Sequence, residues 1–465
     1  MTARHTARGH WLEQAGPIEP APALAGERSA DVVVVGGGYT GMWTAWLAKL
    51  LEPEARVALL EADLCGHGPS GRNGGFANAL WFSLPAMRER FGDAAASELA
   101  RAAQEAVDEI GRFCSREGVD AWFRQAGYLK VSTAPTWDGA WDPVLEACRE
   151  LGTPDACREL SPEQIRARCD SPIFRAGAFC AGAATVQPAR LALGLRARLR
   201  ERGVEVYERT PGSAPRRSGD DLIVGTPSGS LRAKAVVLAQ GGKLLGLPPM
   251  RRRLTLTSSH MLVTEPVPDL LAEIGWTGGE CITDSRAMVH YFRTTRDDRI
   301  AFGWGGGPVV YGARTGGRAE VDPRVVAELE HHLVRFFPGL EGRRVDHAWG
   351  GPIDVSPSHL PVVDELEPGV WCGYGFTGHG VGPSRMVGRS LASLALGRRD
   401  EASRLAIVSP PAVRVPPEPF RYLGGTVIRR ALLRQEGIEE RGGRVDAATR
   451  FVASIPERIG IHVGR

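Results

Sequence analysis

Three glycines and one carboxylate carry the most specific spacing in this chain. Gly36, Gly38 and Gly41 read G-x-G-x-x-G, and Glu61 follows Gly41 by 20 residues. The first glycine permits a tight turn, the second lets backbone approach a pyrophosphate, and the third lets a helix pack closely on a strand. A carboxylate at that distance accepts hydrogen bonds from ribose hydroxyls. The chemistry implied is dinucleotide binding, and it needs a strand–loop–helix–strand unit to place the four residues. The flanking sequence supplies one. Val32 to Val35 form an unbroken β-branched run that suits a strand buried on both faces. Trp43, Trp46, Leu47 and Leu50 then recur at helical spacing, and Val57 to Leu60 read as a second strand ending at Glu61. The helix start directs free N–H groups and a positive dipole at the phosphates. Gly36, Gly38, Tyr39, Thr40, Gly41, Glu61 and Ala62 are therefore candidate cofactor residues. A ligand-free Gly-rich turn is the plainer reading, but it requires neither this spacing nor the acid.

A second glycine loop follows Glu61 at once. Residues 65 to 76, CGHGPSGRNGGF, hold five glycines around one arginine and one asparagine. The stretch has no hydrophobic periodicity, and it is not the Ser-rich type of flexible linker. Ser70, Gly71, Arg72, Asn73, Gly74 and Gly75 are read as cofactor contacts. Residues 204 to 208 and 233 to 242 read as later strands of the same sheet, which adds Val206 and Gly241. A third loop, GYGFTGHGVGP, runs into a helix with Pro383 near its start, so Gly378, His379, Gly380 and Val381 face an anion. The chain has no second G-x-G-x-x-G after a strand. One dinucleotide with a reducible ring, FAD, fits this set better than NAD.

Candidate catalytic residues are Tyr291, Arg293 and His379. Tyr291 and Arg293 are two apart on an alternating strand, hence on one face; they either orient a substrate carboxylate or form a cross-strand pair. His290 and Phe292 face the other way, into packing. Trp304 either walls a pocket or belongs to the core. The chain lacks G-x-S-x-G, H-E-x-x-H and any Cys/His cluster with zinc spacing, so no metal is expected.

On these residues the chain resembles the D-amino-acid oxidase/glycine oxidase superfamily of FAD-dependent amine oxidoreductases. The block Ser70 to Gly75 is similar to that of gamma-glutamylputrescine oxidase-like proteins. Further matching stretches are Trp11-Leu12, Tyr291 to Gly306, Trp349 to Val363 and GYGFTGHGVGPSRMVG, so the resemblance spans most of residues 10 to 400. It implies hydride removal from the carbon beside an amine nitrogen, an imine that water hydrolyses, and oxygen reduced to hydrogen peroxide. It also implies a split architecture: a Rossmann-like α/β FAD-binding domain from residues 27–119, 180–250 and 345–400, and an α+β antiparallel-sheet substrate domain from 120–179 and 251–344. Sarcosine-oxidase-like relatives tether FAD to a cysteine just before the stretch resembling WGGPIDVSPSH, where this chain has none. Dimethylglycine-dehydrogenase-like relatives use a histidine near the place of Arg72 and Asn73. Non-covalent FAD is the expectation. The flavin-face lysine of sarcosine-oxidase-like relatives, on the strand resembling DRIAFGWGG, is also missing, which weakens oxidase relative to a dehydrogenase feeding a quinone or carrier protein. A flavin-binding protein with a non-catalytic or RNA-modification role, or a NAD-linked dehydrogenase, are readings from other classes.

Composition agrees with a soluble protein of two or three domains. The chain has 465 residues, 43% hydrophobic content and a net charge of +3. So small an excess of cations points to neither nucleic acid nor a membrane surface, and no apolar run spans a bilayer. Only four residues are lysine (Lys49, Lys130, Lys234, Lys243), leaving 53 of the 57 cations as arginine. The eight cysteines form no C-x-x-C pair and read as free thiols in a reducing cytoplasm. Residues 84 to 118 read as one long helix. Residues 401–465 read as a Pro-rich linker and helical tail that packs on the body or on a partner subunit of an oligomer.

Overall fold

The computed structural model describes residues 4–5 and 8–462; the last three residues of the expected tail lie outside them. A six-stranded sheet runs in the order Glu205–Tyr207, Val57–Leu60, Val32–Val35, Ala235–Leu238, Val370–Tyr374, Val362–Glu367. All neighbours are parallel except the last pair. Val32 to Val35 are each buried, as an apolar run covered on both faces must be. Helices Tyr39–Leu51 and Val381–Ala395 pack against this sheet. The glycine loops after Val35, Leu60 and Tyr374, and the turn after Leu238, all leave its carboxyl edge. That is where open parallel sheets bind their ligands.

A ten-stranded, mostly antiparallel sheet forms the second half. Its central strands are Tyr128–Val131, Cys281–Asp284, His290–Thr294, Ile300–Trp304, Thr255–Thr264 and Val345–Val355. Alternation divides its faces. Leu129, Val131, Ile282, Phe292, Phe302 and Trp304 pack under helix Pro323–Phe336 in one apolar core. The intervening residues, including Lys130, Thr283, Tyr291 and Gly303, turn toward the glycine loops.

Several expectations need correction. Val345–Val355, placed by sequence order with the cofactor-binding half, pairs along its length with Thr255–Thr264 in the large sheet. A hydrophobic run tells that it is a strand but not which edge it joins. The long helix is two, Leu84–Phe91 and Asp93–Arg116, separated by Gly92 at φ 79°. A small sheet of Arg216–Ser218, Asp221–Thr226, Gly229–Ala233 and Gly26–Ser29 adds to the expected elements. Cys157 and Cys180 are not free thiols; they form a disulfide beside the paired strands Arg158–Leu160 and Gly177–Cys180. The tail helix, Phe420–Glu440, lies on the large-sheet half, where Trp137 donates to Glu439 (3.1 Å) and Arg421 to the Leu254 carbonyl (2.9 Å). Among the described residues no helix is long and apolar enough to cross a membrane.

Candidate active site

The first glycine loop is built as tightly as its spacing demands. Gly36 sits at φ 117°, and a Cβ there would lie 2.3 Å from the Ala239 carbonyl; one on Gly41 would lie 1.9 Å from the Gly36 carbonyl. Helix Tyr39–Leu51 begins at Gly38 without a side-chain cap. The Tyr39 N–H donates to Ser70 Oγ (2.8 Å), which brings the second loop against the helix start. Tyr39's own hydroxyl is committed to the Pro188 carbonyl (2.7 Å), so its ring is structural. Thr40 and Gly41 are buried in the first turn. Glu61 accepts from the N–H groups of Gly37 (2.7 Å) and Asp63 (2.8 Å), which aims its half-buried carboxylate along the sheet edge; Ala62 is exposed beside it. Val206 lies in the outermost strand of the parallel sheet, and Gly241 follows the turn that closes on Gly36.

The second loop is held by its carbonyls. Trp349 Nε1 donates to Arg72 O (2.8 Å), Trp11 Nε1 to Asn73 O (2.9 Å), Arg293 Nε to Gly74 O (2.6 Å), and the Val186 N–H to Gly75 O (2.8 Å). Four successive carbonyls are thus drawn outward by four different segments. In a trans peptide the following N–H points the opposite way, so those of Asn73 and Gly74 are turned from these anchors. The Asn73 amide closes the loop on itself, donating to Ser70 O (2.8 Å) and accepting from the Gly75 N–H (2.7 Å). Gly71 is buried within the same turn. Gly75, at φ 75°, admits no side chain, since a Cβ would stand 2.2 Å from the Val186 carbonyl, and one on Gly74 would crowd the Tyr291 ring at 3.0 Å.

Tyr291 and Arg293 share a face, as their spacing requires, but they do different things. The Tyr291 ring lies on Gly74, edge to face with Phe76 (5.9 Å between centroids), and its hydroxyl pairs with Ser259 Oγ (2.8 Å). Arg293 is buried, over the Trp11 ring, with its guanidinium donating to Gly74 O, to Val186 O (2.7 Å) and to Thr294 O (3.2 Å). Burial lowers its pKa to about 10, which leaves it cationic at neutral pH. On the opposite face, His290 joins Asp284 (2.7 Å) to His332 (2.9 Å) and stacks on Trp304, whose indole donates to Met288 O (2.9 Å). These groups and Phe292 are core.

The third loop is tied to the large sheet. Asp354 of the strand Val345–Val355 accepts from the Gly375 N–H (2.6 Å), and its carbonyl accepts from the Thr377 N–H (2.9 Å). Burial pushes the Asp354 carboxyl up to about 6. Gly378 takes φ 83°, Gly380 caps helix Val381–Ala395 without a side-chain bond, and Val381 is buried at its start. His379 is open to solvent on one side, while the protein packed around it holds its pKa below the ordinary value; the charge of Lys130 acts in the same direction.

Sequence reasoning missed Lys130. It is buried on the loop-facing side of the large sheet, its ammonium 5.2 Å from the centre of the Phe82 ring. Burial lowers its pKa to about 8. Nothing in the ordinary alternation of GYLKVST sets it apart.

The groups present fit a flavin dinucleotide. Two helix starts lack side-chain caps, a carboxylate stands at the end of the second strand, and the glycine loop leaves its amides unobstructed by side chains. The model of the family described as FAD dependent oxidoreductase, DAO, matches residues 31–394. The chain is 29% identical over 437 residues to the probable oxidoreductase OrdL of Rhizobium meliloti (strain 1021), covering 91% of this chain and 94% of that one. It is 28% identical to the gamma-glutamylputrescine oxidoreductase of Escherichia coli (strain K12), covering 90% and 96%. The glycine oxidase structure from Geobacillus kaustophilus superposes with a TM-score of 0.66 at 20% identity, over 80% of this chain and 96% of that one.

Proposed function

The chain belongs to the family of FAD-dependent oxidoreductases, and from that premise we propose that it oxidises an amine at a carbon–nitrogen bond. FAD, when bound, supplies the acceptor for the hydride lost by the carbon beside nitrogen. Gly36, Gly38, Thr40, Gly41 and the start of helix Tyr39–Leu51 would hold the pyrophosphate, Glu61 and Ala62 the ribose, and Val206 the adenine side. Ser70 to Gly75, Gly241 and Gly378 to Val381 would hold the ring-bearing half without a covalent bond.

What supports this reading is that Tyr291 lies on Gly74 of the second glycine loop with its hydroxyl paired to Ser259, while Lys130 stands on the same sheet face, close enough for its charge to act on His379 of the third loop. Tyr291 and Ser259 present hydroxyls that orient a polar substrate. The protein packed around His379 holds its pKa below the ordinary value, which favours the neutral ring, and a neutral ring nitrogen takes the proton that an ammonium sheds before oxidation. Arg293 acts by fixing the loop. The imine leaves to water, giving an aldehyde or keto acid and a smaller amine, and oxygen takes the electrons to form hydrogen peroxide. Delivery to a quinone or carrier protein is the second reading, favoured by the lack of a lysine along Ile300–Trp304.

Anaerobic mixing with a panel of primary and secondary amines should bleach the flavin absorbance for at least one, and readmitted air should yield peroxide. No bleaching by any amine would remove the amine reading; bleaching without peroxide would leave the dehydrogenase. Acid precipitation should release all yellow colour to the supernatant.

A further inference from the structure

Of the four lysines only Lys130 is buried. It stands on strand Tyr128–Val131, in register with Thr283 of the next strand, which is in register with Tyr291 of the one beyond. All three therefore project from one face, the face turned to the glycine loops. Among the described residues no carboxylate forms an ion pair with the Lys130 ammonium and no hydrogen bond is made from it. Its contact is the face of the Phe82 ring, on the segment that leads away from the second glycine loop. The carboxylate whose charge it feels, Asp284, projects from the opposite face, where it is bound by the N–H and Nδ1 of His290. The neighbouring polar groups are also committed, since the Tyr128 hydroxyl pairs with Thr283 Oγ1.

A buried ammonium without a counter-ion is costly. In this protein, where arginine outnumbers lysine more than tenfold by 53 to 4, it is also an unusual choice. The charge stands on the same sheet face as Tyr291, which lies on Gly74 of the second glycine loop, and it is close enough to act on His379 of the third. We propose that Lys130 recognises an anionic group, a carboxylate, carried by the amine substrate. Lys130 and Tyr291 are two strand spacings apart, about 10 Å. An amine oxidised beside Tyr291 thus carries its carboxylate several bonds from the reacting nitrogen, as an ω-amino acid does. This rests on the amine-oxidation reading, and it names the substrate's second recognition element.

The test separates binding from turnover. Hexanoate and its neutral counterpart hexanamide, neither bearing an amine, are titrated into the FAD-loaded protein by calorimetry and by perturbation of the flavin spectrum. Wild type should bind hexanoate more tightly than hexanamide. Lys130→Met should weaken hexanoate by about 30-fold or more and leave hexanamide unchanged, and Lys130→Arg should restore part of the difference. In turnover, 6-aminohexanoate should have a lower KM than hexylamine for wild type alone, with kcat less affected. Equal FAD content and melting temperature establish that Lys130→Met folds. Hexanoate binding that does not change in Lys130→Met would overturn the proposal. If no amine bleaches the flavin while the hexanoate preference persists and depends on Lys130, the amine reading fails and the anion site stands.

Discussion

Replacing Arg293 by Met separates two roles that the sequence left open. The guanidinium holds Gly74 O at 2.6 Å and Val186 O at 2.7 Å, bracketing Gly75, and it is 3% exposed. Met fills a similar volume but donates nothing, so two interior carbonyls lose their partners. Each hydrogen bond from a charged donor contributes about 1.5–3 kcal/mol. Against this, removal of a buried cation relieves a desolvation cost of similar order to one of those bonds. The net loss should be about 1.5–3 kcal/mol, measured by urea unfolding of the FAD-loaded protein. If half of that is the cost of ordering the loop for its cofactor, the FAD dissociation constant should rise about fourfold to twelvefold, measured by recovery of flavin fluorescence on dilution. Arg293→Lys, with a point charge in place of a planar fork, should fall between the two. The reasoning is refuted if Arg293→Met keeps its stability and FAD affinity while KM rises only for amines bearing a carboxylate. Arg293 would then be the substrate's anchor, and the loop would need no clamp.

Two further substitutions probe the cofactor cradle and the tail. Gly41→Ala places a methyl 1.9 Å from the Gly36 carbonyl and should leave protein with little FAD, whereas Gly68→Ala, with nothing within 4 Å, should retain it; the ratio of flavin to protein absorbance reads both. Glu436 of the tail helix accepts from the Met288 N–H (3.0 Å), and burial raises its pKa to about 7. The folded state therefore holds this proton more tightly than the unfolded chain does. Stability is lost as pH rises from the ordinary carboxylate range through about 7. Glu436→Gln should stabilise the protein at pH 8 by roughly 3 kcal/mol and have little effect at pH 4, which thermal unfolding at the two pH values would show.

The parallel sheet was legible because its signals are local. Val32–Val35, the three glycines and Glu61 lie within about one supersecondary unit, and each residue type has a steric or hydrogen-bonding reason to be there. The face shared by Tyr291 and Arg293 followed from strand period alone. What each one touches did not, because Gly74, Val186 and Ser259 reach them from distant parts of the chain. Lys130 was invisible for the same reason: its lack of a counter-ion is a property of Phe82, Thr283 and Asp284 together. The edge joined by Val345–Val355 and the pairing of Cys157 with Cys180 are likewise tertiary facts.

The four anchored carbonyls of residues 72 to 75 also bear on how such proteins diversify. Trp349 and Arg293 belong to the large sheet, Trp11 to the N-terminal helix His10–Ala15, and Val186 to the approach to helix Pro188–Glu201. Beyond the bonds that Asn73 makes within it, the loop thus draws its shape from three other parts of the chain, the large sheet among them. A chimaera that grafts another relative's large sheet onto this parallel sheet would inherit a slack loop unless Trp11, Arg293 and Trp349 travel as a set. New specificities are therefore easier to reach by exchanging residues on the sheet face, Lys130 first among them, than by exchanging whole modules.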